Sequence, residues 1–372
     1  MRILFTTCFL SPYRIDFFNE LGKLCDVIVL AEENSERQTH RNEKWFSKCA
    51  ENFQLINLEL PRKGKRAKGT FIWKYVKKYH PDIVVIGGYS TNTEIMNLLT
   101  SKLHKEKIFL NFDGINIENI YKKTLKDFIK KLLIRSADKY LISGDITYKF
   151  LEKFRVDRKD IYIYPFTSLY ASEVMNDILS QDEKGILKQT LNMPEDKIII
   201  SVGSFIERKG FDILLKAAQL MTGNIGIYIV GDKPSKEYIK MADKVKGIKV
   251  HFIEFQRKEM LMDYYKASDL FVLPTRYDAW GLVINEAMAN GLPIITTDHC
   301  VAGLELIENG VNGYIVPIND YIGLRDRIID ILSCEQKAHL MAKNNLKKIG
   351  LYTIENMAKV HFKIFNEVLE NE

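Results

Sequence analysis

Short runs of consecutive apolar residues alternate with stretches of helical periodicity along most of the chain. The runs have the length of strands and are continuous rather than alternating, which indicates parallel sheets covered on both faces. The predicted strands of the first half are Arg2–Thr7, Val27–Ala31, Pro81–Gly88, Lys107–Phe112, Tyr140–Ser143 and Ile161–Tyr164. The first half is therefore predicted to form a doubly wound α/β domain.

The same rhythm begins again in the second half, after a stretch at about 165–196 that has no clear strand and carries an acidic tract. The predicted strands there are Lys197–Val202, Ile225–Val230, Lys249–Phe252, Asp269–Leu273, Pro293–Thr297 and Gly313–Val316. We therefore expect two α/β Rossmann-like domains, 1–168 and 169–351, that face each other across a cleft. Parallel sheets of this type bind ligands beyond the carboxyl ends of their strands.

Two predicted helices in the first half have distinctive sequences. Tyr13–Leu24 follows Ser11-Pro12, a serine N-cap with proline at the first helical position. Leu125–Arg135 reads as a basic amphipathic helix.

The composition is that of a globular chain. Its 372 residues are 46% hydrophobic and 27% charged, and no apolar run approaches the ~18 residues of a membrane span. The five cysteines are scattered and the histidines show no ligand spacing, so we expect neither disulfides nor a metal site. A strand pattern begins at Met1, which leads us to expect no secretory signal and a cytoplasmic location.

Charge divides the chain unevenly. Residues 1–170 carry 30 basic and 20 acidic residues, whereas residues 171–372 carry 24 and 28. The densest basic cluster has no acidic residue between Pro61 and His80 and contains interleaved aromatic residues; its predicted contact residues are Arg62, Lys63, Lys65, Arg66, Lys68 and Trp73. Such a cluster suits an anionic membrane surface, a solvated loop and helix face or, less well, nucleic acid.

A first candidate site begins where the strand ending at Val202 meets a glycine. Gly203 lets a ligand approach the backbone, and the cations Arg208 and Lys209 precede a helix. This arrangement is typical of a phosphate site, although a basic turn at a helix start is equally ordinary. A weaker motif of the same kind, Gly231-Asp232-Lys233, follows the next strand.

The strongest motif runs from Thr275 through a loop into the helix Leu282–Asn290. Asp278 lies in the loop and Glu286 lies in the helix. The amides from Gly281 onward, at the start of a helix, can hold phosphate, and a carboxylate on the helix can accept hydrogen bonds from ribose hydroxyls. Taken singly, Asp278 and Glu286 could be ordinary loop and helix acids.

The order of these three motifs, followed by Gly303–Pro317, resembles family 4 of the retaining glycosyltransferases, whose architecture is the GT-B fold. The resemblance is dense over about 200–317 and thinner around Ser11–Leu21. It implies a nucleotide-sugar donor domain in the second half, an acceptor domain in the first, and a last helix, within about 352–372, that packs back on the first domain.

The resemblance also implies roles for single residues. Glu286 matches the acid that holds the donor ribose, Asp278 matches the acid that contacts the transferred sugar, and Lys209 matches the lysine on the donor diphosphate. The matched backbone and lining positions are Gly203, Gly231, Asp232, Lys233, Phe255, Gly281, Leu282 and Val283.

This sequence departs from the family pattern at two of these positions. Asp278 is one methylene shorter than the usual glutamate, and Ser204 stands where an arginine is common, so that Arg208 is the candidate to replace that cation.

In the first half, Asp113 lies where many family members carry a histidine near the reacting sugar; a turn-forming Asp113-Gly114 is the alternative. Tyr13 and Arg14 lie in the first strand–helix loop, and together with Gly114 they are candidates for acceptor contact. Helix-start packing and a surface charge are the alternatives for Tyr13 and Arg14.

The resemblance implies a metal-independent glycosyltransferase without a cofactor, which retains the anomeric configuration. The expected substrates are a UDP-sugar and a glycan or lipid-linked acceptor of capsule, exopolysaccharide or lipopolysaccharide synthesis, reached at the inner face of the cell membrane. A nucleotide-sugar epimerase or hydrolase of the same fold, and a non-catalytic sugar-nucleotide-binding subunit, are the alternatives. We expect no nucleic-acid partner.

Overall fold

The computed structural model describes residues 1–8, 10–33, 49–59, 72–89, 91–103, 107–121 and 127–371. The chain divides into two compact units. Unit 1 comprises Met1–Ser168 together with Thr353–Glu372, and unit 2 comprises Leu169–Tyr352.

Unit 1 contains a sheet whose described strands all pair in parallel, in the order β3-β2-β1-β4-β5-β6-β7. The strands are β1 (Arg2–Thr7), β2 (Asp26–Glu33), β3 (Gln54–Glu59), β4 (Ile83–Ile86), β5 (Ile108–Phe112), β6 (Lys139–Ile142) and β7 (Ile161–Ile163). The predicted parallel sheet is confirmed. The edge strand β3 was not predicted, because half of its residues are polar and it lacks the continuous apolar run of the central strands.

Helices cover both faces of this sheet. Those described are α1 (Pro12–Gly22), α2 (Trp73–Tyr79), α3 (Asn92–Leu103), α4 (Glu118–Tyr121), α5 (Asp127–Ile134), α6 (Asp145–Lys153) and α15 (Ile354–Glu370). The last helix of the chain, α15, packs against α1. Phe365 of α15 contacts Phe5 and Phe109 of the sheet, so that aromatic rings fill this side of the core.

The opposite face of the sheet packs against α2, α3, α5 and α6. Its core is mostly aliphatic at the strands and receives buried side chains from these helices, including Val76, Leu98, Ile134 and Phe150. Removing such side chains from water supplies the main stabilisation of a layered α/β unit.

Unit 2 repeats the architecture with strands in the order β10-β9-β8-β11-β12-β13. They are β8 (Lys197–Val202), β9 (Ile225–Gly231), β10 (Lys249–Glu254), β11 (Leu270–Leu273), β12 (Ile294–Thr297) and β13 (Gly313–Val316), and all pair in parallel. The second predicted parallel sheet is therefore also confirmed.

The helices of unit 2 are α7 (Gln181–Thr190), α8 (Phe211–Ala218), α9 (Lys236–Ala242), α10 (Lys258–Ala267), α11 (Leu282–Ala289), α12 (Val301–Leu306), α13 (Tyr321–Leu332) and α14 (Glu335–Ile349). Among the described helices of the chain, none combines the length and the apolar composition that crossing a bilayer requires.

Candidate functional site

The candidate donor residues follow the carboxyl ends of four adjacent strands of unit 2, in the order β10, β9, β8 and β11. Parallel strands end at one edge of a sheet, so the four loops lie at the same edge. The loops contribute Phe255 after β10, Gly231–Lys233 around the end of β9, Gly203–Lys209 after β8, and Thr275–Gly281 after β11. Motifs that are separate in sequence are therefore neighbours at this edge.

The loops after β8 and β11 are joined through backbone groups. The carbonyl oxygen of Arg208 accepts hydrogen bonds from the Arg276 amide at 2.8 Å and from Thr275 Oγ1 at 2.9 Å. Lys209 ends a short 3₁₀ turn, Glu207–Lys209, immediately before α8. The position of its backbone is thus fixed by the neighbouring loop.

An ion-pair cluster occupies the space between these two loops. Lys209 Nζ lies 2.5 Å from Asp278 Oδ2, and Arg208 Nη1 lies 3.2 Å from Asp278 Oδ1. The side chains of Lys209 and Asp278 are mostly buried, whereas that of Arg208 is about one-third exposed. One carboxylate therefore balances two cations that are both suited to bind a diphosphate.

The lysine stem lies directly over a glycine. A Cβ at Gly203 would be 3.2 Å from Lys209 Cε, and a Cβ at Gly231 would be only 2.0 Å from the carbonyl oxygen of Gly203. Any larger residue at Gly231 would push the ends of β8 and β9 apart. The glycine that ends β9 is therefore required by backbone packing.

Gly281 starts helix α11 in the left-handed region, with φ of 106°, which a side chain would strain. A Cβ there would also lie 2.8 Å from Cys300 Sγ. Leu282 and Val283 form the first turn of the helix, where amide groups have no intrahelical acceptor and favour an anion.

Glu286 lies on the second turn of α11 and is half-buried. Its Oε2 accepts a hydrogen bond of 3.1 Å from the hydroxyl of Tyr265, which is fully buried on α10. Burial, with the nearby Glu286 carboxylate, raises the pKa of Tyr265 well above its usual value, so the phenol remains a donor. Tyr265 therefore orients this carboxylate, a role that no motif indicated.

A second ion pair, also absent from the sequence prediction, anchors the same loops. The Arg276 guanidinium binds both carboxylate oxygens of Asp212 on α8, at 2.8 and 2.7 Å, and donates to the carbonyl oxygen of Glu207 at 2.6 Å. Arg276 therefore connects the loop after β11 to Glu207 and Asp212, which lie before and after Lys209 in the sequence. The signal was the arginine in the motif itself, but its partner could be found only from the fold.

The remaining candidate residues of unit 2 have exposed side chains. Ser204, Asp232, Lys233 and Phe255 are exposed, and Ser204 brings no positive charge to the position after Gly203. Arg208 is instead the second cation next to Asp278, and it also donates to the carbonyl oxygen of Tyr277 at 2.7 Å.

In unit 1, Arg14 at the start of α1 and Asp113 after β5 form an ion pair between Arg14 Nη2 and Asp113 Oδ2. Asp113 Oδ1 accepts hydrogen bonds from Asn111 and Tyr164, each at 2.8 Å. Burial is the largest single influence and lowers the pKa of Arg14, but the Asp113 carboxylate acting together with Tyr13 and Tyr164 leaves the pKa above its usual value. Both carboxylate oxygens of Asp113 are thus engaged by donors of its own unit.

Two aromatic residues that the sequence did not indicate complete this network. Tyr164 is buried, and its ring centroid lies 4.5 Å from that of His361 on α15. Burial lowers the pKa of His361 to about 4, because the imidazolium would lose its hydration among the surrounding rings. His361 Nδ1 lies 2.8 Å from the carbonyl oxygen of Met357.

Tyr13 packs edge to face on Phe166, with 5.7 Å between ring centroids, while Gly114 follows Asp113 and is half-buried. Of the predicted membrane patch, Arg62, Lys63, Lys65, Arg66 and Lys68 lie outside the described residues. Its sixth member, Trp73, begins α2 and is partly exposed, with Lys77 Nζ 4.7 Å from its ring centroid.

The described residues contain no group of three or more His, Cys, Asp and Glu side chains placed to hold a metal ion. The cationic groups next to Asp278 are those of Arg208 and Lys209.

Comparison with known proteins finds a family model that matches most of unit 2. Residues 182–348 match the family model described as "Glycosyl transferases group 1". An uncharacterized glycosyltransferase of Methanocaldococcus jannaschii is 30% identical over 203 residues, which cover 52% of this chain and 50% of the relative. The chain spans about half the length of several such curated relatives.

Two further similarities extend over most of the chain. The N,N'-diacetylbacillosaminyl-diphospho-undecaprenol alpha-1,3-N-acetylgalactosaminyltransferase of Campylobacter jejuni is 19% identical over 309 residues, 81% of each protein. The crystal structure of Anabaena HepE in complex with UDP and glucose superposes with a TM-score of 0.72 at 17% identity and covers the whole of both chains. The fold is thus that of GT-B proteins, with two Rossmann-like units, and residues 182–348 are similar to the group 1 glycosyl transferases.

Proposed function

We propose that this chain, whose residues 182–348 match the model of the group 1 glycosyl transferases, transfers a sugar from a nucleotide-diphosphate sugar to a glycan or lipid-linked acceptor. The observation that carries the proposal is the cluster of Arg208, Lys209 and Asp278 beside the start of α11, the helix that bears Glu286. The cluster offers positive charge for a diphosphate, and the helix offers amides and a carboxylate.

In this proposal the donor diphosphate replaces Asp278 as the ion-pair partner of Lys209. The ammonium group and the amides of the first turn of α11 then stabilise the charge that grows on the leaving diphosphate. Glu286, held by Tyr265, accepts hydrogen bonds from the ribose hydroxyls. Asp278, freed from Lys209, contacts the transferred sugar.

The acceptor hydroxyl attacks the anomeric carbon from the face that the diphosphate leaves, so that the anomeric configuration is retained. The new glycosidic bond forms as the bond to the diphosphate oxygen breaks, and the acceptor's proton passes to the departing diphosphate. We propose Arg14, Tyr13 and Gly114 of unit 1 as acceptor contacts. Asp113, with both oxygens engaged, holds the Arg14 guanidinium in place.

A UDP-sugar is the proposed donor and a polyprenyl-diphosphate-linked glycan the proposed acceptor, with surface polysaccharide synthesis as the setting. Two findings support this choice: HepE binds UDP in its crystal structure, and the Campylobacter relative is named for a diphospho-undecaprenol acceptor. The excess of basic residues in the first half suits an anionic acceptor.

The proposal is tested first by donor binding. A ligand that binds only the folded protein raises the melting temperature, so UDP, GDP and ADP are compared by thermal shift; we expect UDP to give the largest increase. Glu286→Ala should remove this increase, whereas Glu259→Ala, an exposed glutamate on α10, should leave it unchanged. No shift with any nucleotide would contradict the proposed donor site.

Transfer is tested next by incubating the protein with labelled UDP-sugars and a crude lipid extract. Label recovered in the lipid phase supports a transferase. Release of free sugar or of an epimerised donor would identify the chain as a hydrolase or epimerase, and nucleotide binding without turnover would identify it as a non-catalytic subunit.

A further inference from the structure

Helix α5 of unit 1 has large apolar side chains on its outer face. Phe128 is 70% exposed, Ile129 59% and Leu132 60%. At 100° per residue these three positions fall within one sector of the helix surface. Ile134 lies on the opposite side of the helix and is fully buried, and Leu133, at the flank of the exposed sector, is also buried. A helix that is apolar on both faces needs a second apolar neighbour.

The exposed apolar surface is not confined to α5. Helix α3 packs against both α5 and α2, and each of these helices contributes an exposed apolar residue to the same layer of the unit. On α3, Leu98 is buried whereas the next residue, Leu99, is 46% exposed. Trp73, at the start of α2, is 38% exposed. The helices α2, α3 and α5, which cover the sheet face opposite α1 and α15, thus carry exposed apolar side chains.

This surface is accompanied by positive charge. Within the described residues 127–135, Lys130, Lys131 and Arg135 are basic, and Asp127 is the one acidic residue. Asp127 is itself neutralised, since Lys153 Nζ lies 3.0 Å and Lys130 Nζ 3.8 Å from its carboxylate. On α2, Lys74, Lys77 and Lys78 each lie over an aromatic ring. Aromatic and apolar side chains rimmed by lysine are the composition of an interfacial membrane helix.

We propose that the outer face of α5, with Leu99 and Trp73 beside it, docks unit 1 on an anionic lipid bilayer. Phe128, Ile129 and Leu132 enter the headgroup region, while the basic residues, including Arg135, bind the lipid phosphates. A symmetric contact between two copies of this face would bring like charges together. The charge therefore favours a lipid surface over a second copy of the chain.

The role of this surface in catalysis rests on the proposed function, because a membrane-borne acceptor is what would make docking useful. Docking itself needs neither donor nor acceptor. Vesicle binding is therefore measured without substrates, so that failure of docking and failure of sugar transfer are distinguishable.

The test is vesicle co-sedimentation of the full chain. We expect binding to phosphatidylcholine vesicles that contain about 30 mol% phosphatidylglycerol and weak binding to pure phosphatidylcholine. The variant F128S/I129S/L132S should lower the partition coefficient by at least about tenfold, because it removes the inserted apolar groups. The matched control I186S/L340S/L351S changes three comparably exposed apolar residues of unit 2 and should bind like the wild type.

Two further variants separate charge from insertion. K130Q/K131Q/R135Q should weaken binding to the anionic vesicles and reduce its dependence on salt. Phe128→Trp should show fluorescence quenching by brominated lipids beyond that of the native tryptophans, whereas Ile186→Trp should not. Quenching is measured on folded protein, so it tests the proposal even if the triple serine variant fails to fold.

Unchanged binding of the triple serine variant, or absence of quenching at position 128, would overturn the proposal. So would a wild-type dimer, seen by analytical ultracentrifugation, that the same triple variant converts to monomer without an effect on vesicle binding. That result would assign the face to a contact between copies. The donor thermal shift with UDP should be the same in all these variants.

Discussion

The charged side chains at the carboxyl edges of the two sheets are held in different ways. In unit 2, the loops after β8 and β11 are fixed by backbone contacts, and Lys209 lies over a glycine. In unit 1, Arg14 and Asp113 are 99 residues apart and are fixed by side chains, including one from the strand end at Tyr164. A backbone-built site leaves its charged groups available to exchange partners, whereas a side-chain network ties them to one another.

The partners of the two aspartates sharpen this contrast. Asp278 pairs with two cations that a diphosphate could bind, and one of them, Arg208, is about one-third exposed. Asp113 binds Arg14, Asn111 and Tyr164, which are all groups of the same unit. We therefore expect substitutions in unit 2 to affect substrate handling first and those in unit 1 to affect stability first.

The largest expected effect is that of Lys209→Ala. Removing a cation that stabilises the leaving diphosphate should lower kcat/KM for sugar transfer by about 100-fold or more. Steady-state kinetics with the identified donor measure this effect. Lys216→Ala, a half-exposed lysine on α8, is the control and should keep wild-type activity. Equal activity of the two variants would remove Lys209 from the site.

Asp113→Asn tests the expectation that substitutions in unit 1 affect stability first. Loss of the carboxylate charge leaves the Arg14 guanidinium buried without its partner, so we expect the free energy of unfolding to fall by about 3 kcal/mol. Chemical denaturation measures it, and the UDP-induced thermal shift should persist. Asp26→Asn breaks an exposed pair with Arg2 and should cost no more than about 1 kcal/mol. A stable Asp113→Asn protein that has lost transfer activity would instead indicate a direct role in the reaction.

His361 gives unit 1 a pH dependence. Its pKa is about 4 in the folded chain and near 6.5 when unfolded, so between these values only the unfolded chain binds the proton. Stability should therefore fall as pH drops from 6.5 towards 4, by about 3 kcal/mol in total. Arg14, Asp113 and Tyr164 are its polar neighbours.

His361→Phe separates the histidine from those neighbours. Above pH 6.5 the variant and the wild type should show parallel unfolding free energies, and below it the wild type should lose stability more steeply. Urea titrations at several pH values measure the two slopes. Identical slopes down to pH 4 would mean that this imidazole is protonated in the folded chain.

The smallest expected effect is that of Asp278→Glu, which restores the residue usual in the resembled family. The ion pair with Lys209 should survive the added methylene, and we expect the transfer rate to change by less than about tenfold. Asp278→Asn has the original length without the charge and should lower the rate further. If Asn is tolerated and Glu is not, the length of the side chain rather than its charge governs the contact.

The sequence was informative wherever the structure is built locally. Continuous apolar runs predicted both parallel sheets, because central strands bury both faces and need no partner-specific pattern. The edge strand β3 and helix α7 are more polar, so a search for continuous apolar runs did not predict them. Helix α7 does carry a signal, since Ser180 and Glu183 form a capping box at the start of the acidic tract.

The site residues, too, could be predicted where their positions depend on local structure and not where they depend on tertiary contacts. Lys209, Asp278 and Glu286 stand in motifs whose spacing is set by strand, loop and helix start, and the fold brings Lys209 and Asp278 into contact. Tyr265, Tyr164 and His361 had no such signal, because an aromatic residue on an apolar helix face or at a strand end looks like ordinary core. Their relevance comes from tertiary contacts that pair distant segments.

The most direct measurement is a double-mutant cycle between Glu286 and the donor ribose. Dissociation constants of UDP and 2′-deoxy-UDP are determined by calorimetry for the wild type and for Glu286→Ala. A hydrogen bond to a carboxylate contributes about 1.5–3 kcal/mol, so the wild type should prefer UDP by about tenfold or more. The variant should bind both nucleotides equally weakly. An undiminished preference for UDP in Glu286→Ala would contradict the assignment of this helix to the ribose of a nucleotide sugar.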